Sequence, residues 1–311
     1  MAKHCAPWPA ENGWTPKAWI ERILVLAIEQ HYADLYFKSV GNSYRLSGQV
    51  DGTLRTLQQL TPRFAEHVLS VIKYWALLNL AEKRRPQLGR FTFEEHFIRV
   101  SVVGDFLGKE SLVIRLLQPS LGVQHFTDNG HFDELLNTQP SSGLYLIAGP
   151  TGAGKTSTLY RLLRKWSKNR AVLTVEDPVE YVEPEYLQLQ VNETANIFYE
   201  DLIKVALRQR PDILVIGEIR DKKTAHAALQ AALSGHLVLA TIHANSAILV
   251  VDRLLDLGLD ATLVSAALVK SVYQRLVKTK TDTLAAKLSW VDWKEGEAIR
   301  IVDDERGTRD V

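Results

Sequence analysis

The chain has 311 residues, of which 46% are apolar and 23% charged, a balance typical of globular proteins rather than disordered chains. Its formal net charge of +1 provides no overall field that would favour a nucleic-acid or membrane partner. Cys5 is the only cysteine, which excludes an internal disulfide and a four-cysteine zinc site. The sequence has neither a signal-peptide core nor a run of about 18 apolar residues that could span a membrane, so we expect a cytoplasmic protein.

Two helices are predicted in the first third of the chain. Thr15 as N-cap and Pro16 at the first helical position begin an amphipathic helix. Its polar face is acidic as well as basic, which favours packing on a protein core over lying on a membrane surface. Residues 61–62, Thr-Pro, begin a second helix that we expect to extend to Glu82.

Short strands are predicted before and after the second helix. Turns at 41–42, Gly-Asn, and 51–52, Asp-Gly, separate strands before it, and a pair of strands within 90–106 and 110–117 follows it. These elements predict a small α+β domain over residues 1–117. A polar, turn-rich linker with a short helix near 132–140 is expected over 118–140.

From residue 141 to 311 the pattern changes to short apolar runs that alternate with helical stretches. "LYLIAG", "AVLTVED", "DILVIGEI" and "HLVLATIH" are such runs. Strands that are apolar on both faces belong in parallel sheets covered by helices, so the fold class predicted for this second domain is α/β. The part after Lys278 is polar and irregular, and no element is assigned to it.

The stretch "GPTGAGKT" satisfies the phosphate-loop pattern G-x-x-x-x-G-K-[ST] and lies between an apolar run and a helical pattern. Glycines allow backbone N–H groups to converge on phosphate oxygens, while Lys155 supplies a charge to the β- and γ-phosphates and Thr156 a hydroxyl ligand to Mg²⁺. The alternative is a glycine turn with a surface lysine. The predicted nucleotide-binding residues are Gly149, Pro150, Thr151, Gly152, Ala153, Gly154, Lys155, Thr156 and Ser157.

Two carboxylates and two histidines lie at the ends of the apolar runs. Glu176 and Glu218 each follow an apolar strand, at the sheet edge where α/β folds bind ligands, and hydrolysis needs both a metal-supporting carboxylate and a group that activates water. Either residue could instead cap a helix or form a salt bridge. His236 and His243 flank a third apolar strand, and their spacing alone favours a structural role.

Together these segments resemble the type II/type IV secretion ATPase superfamily, the hexameric motors of type IV pili and type II secretion. The family's four boxes are matched in order by "GPTGAGKTSTLY", "TVEDPVEY", "RPDILVIGEIRD" and "GHLVLATIHANSA". The resemblance implies a RecA-like P-loop ATPase domain over 141–311. It also implies that Glu176 is the general base, that Glu218 supports Mg²⁺, and that His243 and His236 sense or polarise the γ-phosphate.

The first domain resembles the family's PAS-like N-terminal domain, although Tyr36 and Gln49 depart from the family's pattern. Its strands then look like those that donate arginines across a subunit interface, which implies a catalytic role in a neighbouring subunit for Arg90, Arg99 and Arg115. These arginines could alternatively pair with carboxylates on a strand surface.

Within the family, the segment between the Asp box and the third box is most similar to competence pilus ATPases of Gram-positive bacteria. The resemblance implies a homohexamer that uses ATP and Mg²⁺ but no zinc. It would drive assembly of a type IV pilus for DNA uptake, at the cytoplasmic face of the membrane, against a polytopic inner-membrane platform protein, with pilins contacted only indirectly.

A retraction motor or type II secretion ATPase is the alternative. A nucleic-acid translocase, or a scaffold that binds nucleotide without turnover, is a competing class; no direct nucleic-acid contact is expected.

Overall fold

The computed structural model describes residues 8–50, 52–117, 121, 124–192, 195–279, 283–303 and 307–310. The chain divides into two compact units, Met1–Pro119 and Ser120–Val311, and each is described by itself. Cys5, Asp51 and parts of the predicted linker lie outside the described residues.

Unit 1 is a six-stranded antiparallel sheet with two helices. Thr15 caps the first helix as expected, because its side chain accepts a hydrogen bond from the Ala18 N–H. The strand order is β3-β2-β1-β6-β5-β4. The elements are α1 (Pro16–Glu29), β1 (Asp34–Val40), β2 (Ser43–Val50), β3 (Thr53–Leu60), α2 (Pro62–Trp75), β4 (Gln87–Phe93), β5 (His96–Gly104) and β6 (Glu110–Leu117).

Two predictions for unit 1 need correction. Helix α2 ends at Trp75 rather than near Glu82, because Leu77 adopts a left-handed φ of 55° and the following chain folds back, so that the Lys73 ammonium bonds the Glu82 carbonyl. The stretch 90–106 contains two strands rather than one, since Glu94, at φ 52°, turns the chain between β4 and β5.

Unit 2 is a mixed α/β structure around a nine-stranded sheet of order β15-β14-β13-β12-β7-β11-β10-β8-β9. Strands β12, β7, β11, β10, β8 and β9 pair in parallel, and the apolar runs predicted four of them, β7, β8, β10 and β11. The elements are α3 (Asn129–Asn137), β7 (Gly143–Ala148), α4 (Lys155–Trp166), β8 (Val172–Glu176), β9 (Leu187–Gln190), α5 (Tyr199–Arg208), β10 (Ile213–Ile219), α6 (Lys222–Leu233), β11 (Leu237–Ile242), α7 (Val250–Asp256), α8 (Ala261–Ala267), β12 (Leu268–Lys278), β13 (Leu284–Lys294), β14 (Glu297–Asp303) and β15 (Gly307–Asp310).

The stretch after Lys278 is not irregular, and this corrects the expectation from the sequence. It continues the sheet as an antiparallel meander, β13 to β15, beside β12. Its inward positions, such as Leu288 and Trp290, are buried, but lysines and acidic residues between them hide the alternation in the sequence. The short linker helix begins at Asn129 rather than near 132, because the Asp128 side chain accepts from the N–H groups of Gly130 and His131.

The parallel strands set the position of the candidate site. β7, β11, β10 and β8 lie side by side, so their carboxyl ends meet at one edge of the sheet. The phosphate loop, Glu176, Glu218 and His243 lie at or just after these ends. Among the described residues, no helix combines the length and apolar character needed to cross a membrane.

Candidate nucleotide-binding site

The phosphate loop connects β7 to α4 and has a backbone that only glycine can adopt at two positions. Gly149 has φ 150°, and a Cβ there would lie 2.1 Å from the Gln274 carbonyl oxygen on β12. Gly154 has φ 79° and is the N-cap of α4. The loop therefore presents the N-terminus of a 12-residue helix, with its unpaired N–H groups and the positive end of its dipole, to an incoming anion.

Lys155 is held inside this loop. Its ammonium donates to the carbonyls of Gly149, at 2.8 Å, and Pro150, at 3.0 Å, and the side chain is 8% exposed. Burial lowers the pKa of Lys155, while the nearby carboxylates of Glu218 and Glu180 raise it in opposition. Because the Lys155 ammonium is removed from water and surrounded by backbone groups, a bound polyanion would strongly stabilise its charge.

These residues fit a nucleoside triphosphate, because the glycine cradle, the helix N-terminus and the buried ammonium all favour negative charge. Mg²⁺ in phosphoryl-transfer sites uses one or two protein ligands together with phosphate oxygens and water. The half-buried Thr156 hydroxyl and the Glu218 carboxylate would serve in this way. No cluster of three or more potential metal-ligating side chains occurs in the part of the chain that the structure describes.

Glu218, near the end of β10, lies between the imidazole ring of His243 and the guanidinium group of Arg220. Its Oε1 is 2.6 Å from Nε2 of His243, which follows β11, and its Oε2 accepts from Nε of Arg220, also at 2.6 Å. Neighbouring parallel strands thus bring Glu218 and His243 together, as the sequence predicted for two strand ends. Arg220 was not predicted as a site residue, although its place two residues after Glu218 in "GEIRD" was a usable signal.

Glu176, the last residue of β8, is 2% exposed and has neutral hydrogen-bond partners. Its Oε1 accepts from the hydroxyls of Tyr160 and Thr174, both at 2.6 Å, and more weakly from the Gln188 amide at 3.4 Å. Burial raises the pKa of Glu176, and these hydrogen bonds lower it in opposition. A carboxyl group with a raised pKa at a ligand-binding sheet edge has the character of a general base.

His236 lies at the other end of its strand. It precedes β11, beside the start of β7, where its main-chain oxygen accepts from the Gly143 N–H, and its Nδ1 donates to the Ala231 carbonyl at 3.1 Å. The six residues of β11 separate it from His243. Within one chain His236 is therefore not brought together with the phosphate loop, and its predicted role stays a prediction.

The three arginines of unit 1 form a row on one face of its sheet. Arg90 is the register partner of Arg99, and Arg99 that of Arg115, on three neighbouring strands. Arg115 also donates to Asp34, with Nε to Oδ1 at 2.8 Å, so the surface ion pair allowed by the sequence is present at this position. Cross-strand neighbours of like charge repel each other, and a row of this kind favours an anionic partner.

Two further features near the phosphate loop escaped the sequence analysis. The buried Gln274 side chain donates to the Ala153 carbonyl and so fastens the loop to β12. A cavity of about 390 Å³ is lined by Gly149 and Pro150 together with His243 and the acidic side chains of Asp252 and Asp256. Gln274, Asp252 and Asp256 lie in no recognisable motif, because they reach the phosphate loop through contacts that only the folded chain creates.

Comparison with known proteins places this site in a family. The family model described as Type II/IV secretion system protein matches residues 12–307. The chain is 41% identical over 262 residues to the competence protein ComGA of Streptococcus pneumoniae, covering 83% of each protein. It is 38% identical over 271 residues to the type IV pilus assembly ATPase TfpB of Acinetobacter baylyi, covering 83% of this chain but 46% of that protein.

A solved structure agrees with the fold. The crystal structure of the pilus retraction motor PilT with bound ADP matches with a TM-score of 0.70 and 26% identity, over 86% of this chain and 82% of that one. The family predicted from the four sequence boxes, including its likeness to a competence protein, is thereby confirmed.

Proposed function

Since the chain belongs to the type II/IV secretion system protein family, a family of P-loop ATPases, we propose that it binds MgATP at the phosphate loop and hydrolyses it to drive pilus assembly. The observation that carries this proposal is the glycine cradle around Lys155, with Glu176 and Glu218 on strand ends at the same sheet edge. The second unit is then RecA-like and the first PAS-like.

In the proposed reaction Lys155 and the N–H groups of the loop hold the β- and γ-phosphates. Thr156 and Glu218 would hold Mg²⁺, which when bound would supply positive charge to the phosphate oxygens. Glu176 accepts a proton from the attacking water. His243 senses or polarises the γ-phosphate, and its contact with Glu218 connects it to the metal-supporting carboxylate. The raised pKa of Glu176 suits this role, because a carboxylate with a higher pKa is a stronger base toward the attacking water.

The arginine row of unit 1 supports a ring of subunits. Arg99 and Arg115, with Arg90 beside them, would stabilise the charge that develops on the γ-phosphoryl group bound by a neighbouring subunit. Hydrolysis then depends on assembly. A homohexamer is the form we propose, and the role of His236 in sensing the γ-phosphate stays a prediction.

For the cellular role we propose assembly of a competence type IV pilus for DNA uptake, which the mutual 83% coverage with ComGA supports. The motor would work at the cytoplasmic face of the membrane against a polytopic platform protein, with pilins reached only indirectly. Retraction is the second candidate, since PilT shares the fold, and type II secretion is a third.

The test is a Lys155→Ala substitution in the chromosome of the source organism, with Lys165→Ala, an exposed lysine at the far end of α4, as the control. Surface pili and uptake of added DNA are counted. Loss of both is expected for an assembly motor. Abundant pili without uptake would indicate retraction, and unchanged pili and uptake would reject the proposed role.

A further inference from the structure

A chain of hydrogen bonds connects Glu176 to the helix that begins with the phosphate loop. The amide of Gln188, on the edge strand β9, donates to the Tyr160 hydroxyl at 2.9 Å and to the Tyr181 main-chain oxygen at 2.8 Å. Tyr160 lies on α4 and donates to Glu176. The Tyr181 hydroxyl is 2.7 Å from Oγ of Ser157, in the first turn of the same helix.

This arrangement fixes the direction of the hydrogen bonds that join Gln188, Tyr160 and Glu176. The Tyr160 oxygen accepts from the Gln188 amide, so its single proton is directed to the Glu176 carboxylate. The three bonds that Glu176 accepts from described residues all end on Oε1. Protein donors therefore hold one carboxylate oxygen in place, and the other oxygen is the one left to accept a proton.

We propose that Gln188 is a positioning residue for ATP hydrolysis, whose amide, through Tyr160 and Tyr181, holds the Glu176 carboxylate in a fixed orientation relative to the phosphate-loop helix. This inference rests on the proposed role of Glu176 as general base. Gln188 itself touches no reacting atom. Its effect is on the geometry of the base, and a misplaced base loses rate without loss of substrate binding.

The inference also has a consequence for pH dependence. The titratable groups facing Glu176 are Tyr160 from α4, Glu180 from the loop after β8, and Tyr199 from α5, while β10 presents Gly217 against its main chain. Of these, Tyr160 gives the short hydrogen bond that favours the ionised carboxylate. Removing this donor raises the pKa of Glu176 and moves the acidic limb of the rate profile to higher pH.

The experiment compares two variants with two matched controls in the full chain. Gln188→Ala removes the amide, and Gln190→Ala removes the same side chain two residues along β9, where it contacts the Val179 N–H instead. Tyr160→Phe removes the donor hydroxyl, and Tyr145→Phe removes a buried hydroxyl with no hydrogen-bond partner in the described structure. ATP affinity, kcat and its pH profile are measured for each.

We expect Gln188→Ala and Tyr160→Phe each to lower kcat about tenfold, with ATP affinity within about twofold of wild type. The acidic limb should move to higher pH by up to about one unit in Tyr160→Phe, and the double variant should lose less than the product of the single losses. The controls should match wild type. Profiles equal to the controls, or a fall in kcat that follows a fall in affinity, would overturn the inference. Wild-type turnover in Glu176→Gln would instead reject the proposed base.

Discussion

Glu176 and Glu218 end neighbouring parallel strands of one sheet, yet their surroundings differ in kind. Glu176 is buried among hydroxyl and amide donors that carry no charge. Glu218 is more exposed and lies between His243 and Arg220, both able to carry positive charge. Burial among neutral groups raises the pKa of Glu176 and so favours proton exchange, whereas the more exposed Glu218 carboxylate is better placed to support a metal ion.

The largest effect should come from Lys155, the residue proposed to bind the phosphates. Lys155→Ala removes the buried charge that binds the phosphates, and we expect ATPase activity to fall by about 100-fold or more. Lys165→Ala should leave turnover unchanged, since its side chain is exposed at the other end of α4. Steady-state phosphate release measures the ATPase activity of both variants. A loss below tenfold in Lys155→Ala would contradict the central role of the phosphate loop in hydrolysis.

A smaller loss is expected from unit 1. Arg99→Ala should lower turnover about tenfold or more, while nucleotide binding is retained, because the arginine acts on charge that develops only during the reaction. Arg115→Ala should do the same and also lower stability, since Asp34 is left without its ion pair. Arg55→Ala, exposed on β3, is the control. Unchanged turnover in both variants would reject the arginine assignment.

The pH dependence distinguishes the two carboxylates next. The pKa of Glu176 is raised by burial, so kcat should fall by up to tenfold per unit as pH drops through that value, above the ordinary carboxyl range. The measurement is kcat from pH 8 downward, with folding monitored at each point by circular dichroism. A rate that stays constant down to the ordinary carboxyl pKa, in folded protein, would contradict this role.

The smallest effect is on stability. The folded-state pKa of Glu176 lies above its unfolded value, so the native state binds more protons in that interval and the free energy of unfolding falls as pH rises through it. Glu176→Gln removes this cost and should therefore raise Tm at pH 8 by no more than a few degrees. The increase in Tm should disappear below the ordinary carboxyl pKa. If the variant and wild type have equal Tm values both there and at pH 8, the Glu176 carboxylate does not destabilise the fold.

The sequence predicted the parts of the site that form continuous patterns. A glycine loop between an apolar strand and a helix has one main physical use, and parallel apolar strands place Glu176, Glu218 and His243 at one edge. Gln188 and Gln274 could not be predicted, because a lone glutamine acquires a role only through contacts made across the fold. The meander after Lys278 was missed because frequent charged residues weaken its alternation.

The position of His236 gives the same lesson from the other side. The family resemblance pairs it with His243, but six residues of extended strand place the two rings at opposite ends of β11. Within one chain the two histidines do not meet at one site, so the role predicted for His236 stays a prediction.

The division of roles between the carboxylates is tested most directly by titrating the ATPase activity of Glu176→Gln and Glu218→Gln with Mg²⁺, alongside ATP binding. We expect Glu176→Gln to bind MgATP normally but to lose at least about 100-fold in kcat at every Mg²⁺ concentration. Glu218→Gln should need several-fold more Mg²⁺ for half-maximal activity. The same Mg²⁺ requirement in both variants, or substantial turnover in Glu176→Gln, would contradict the assignment of base and metal support to these two strand ends.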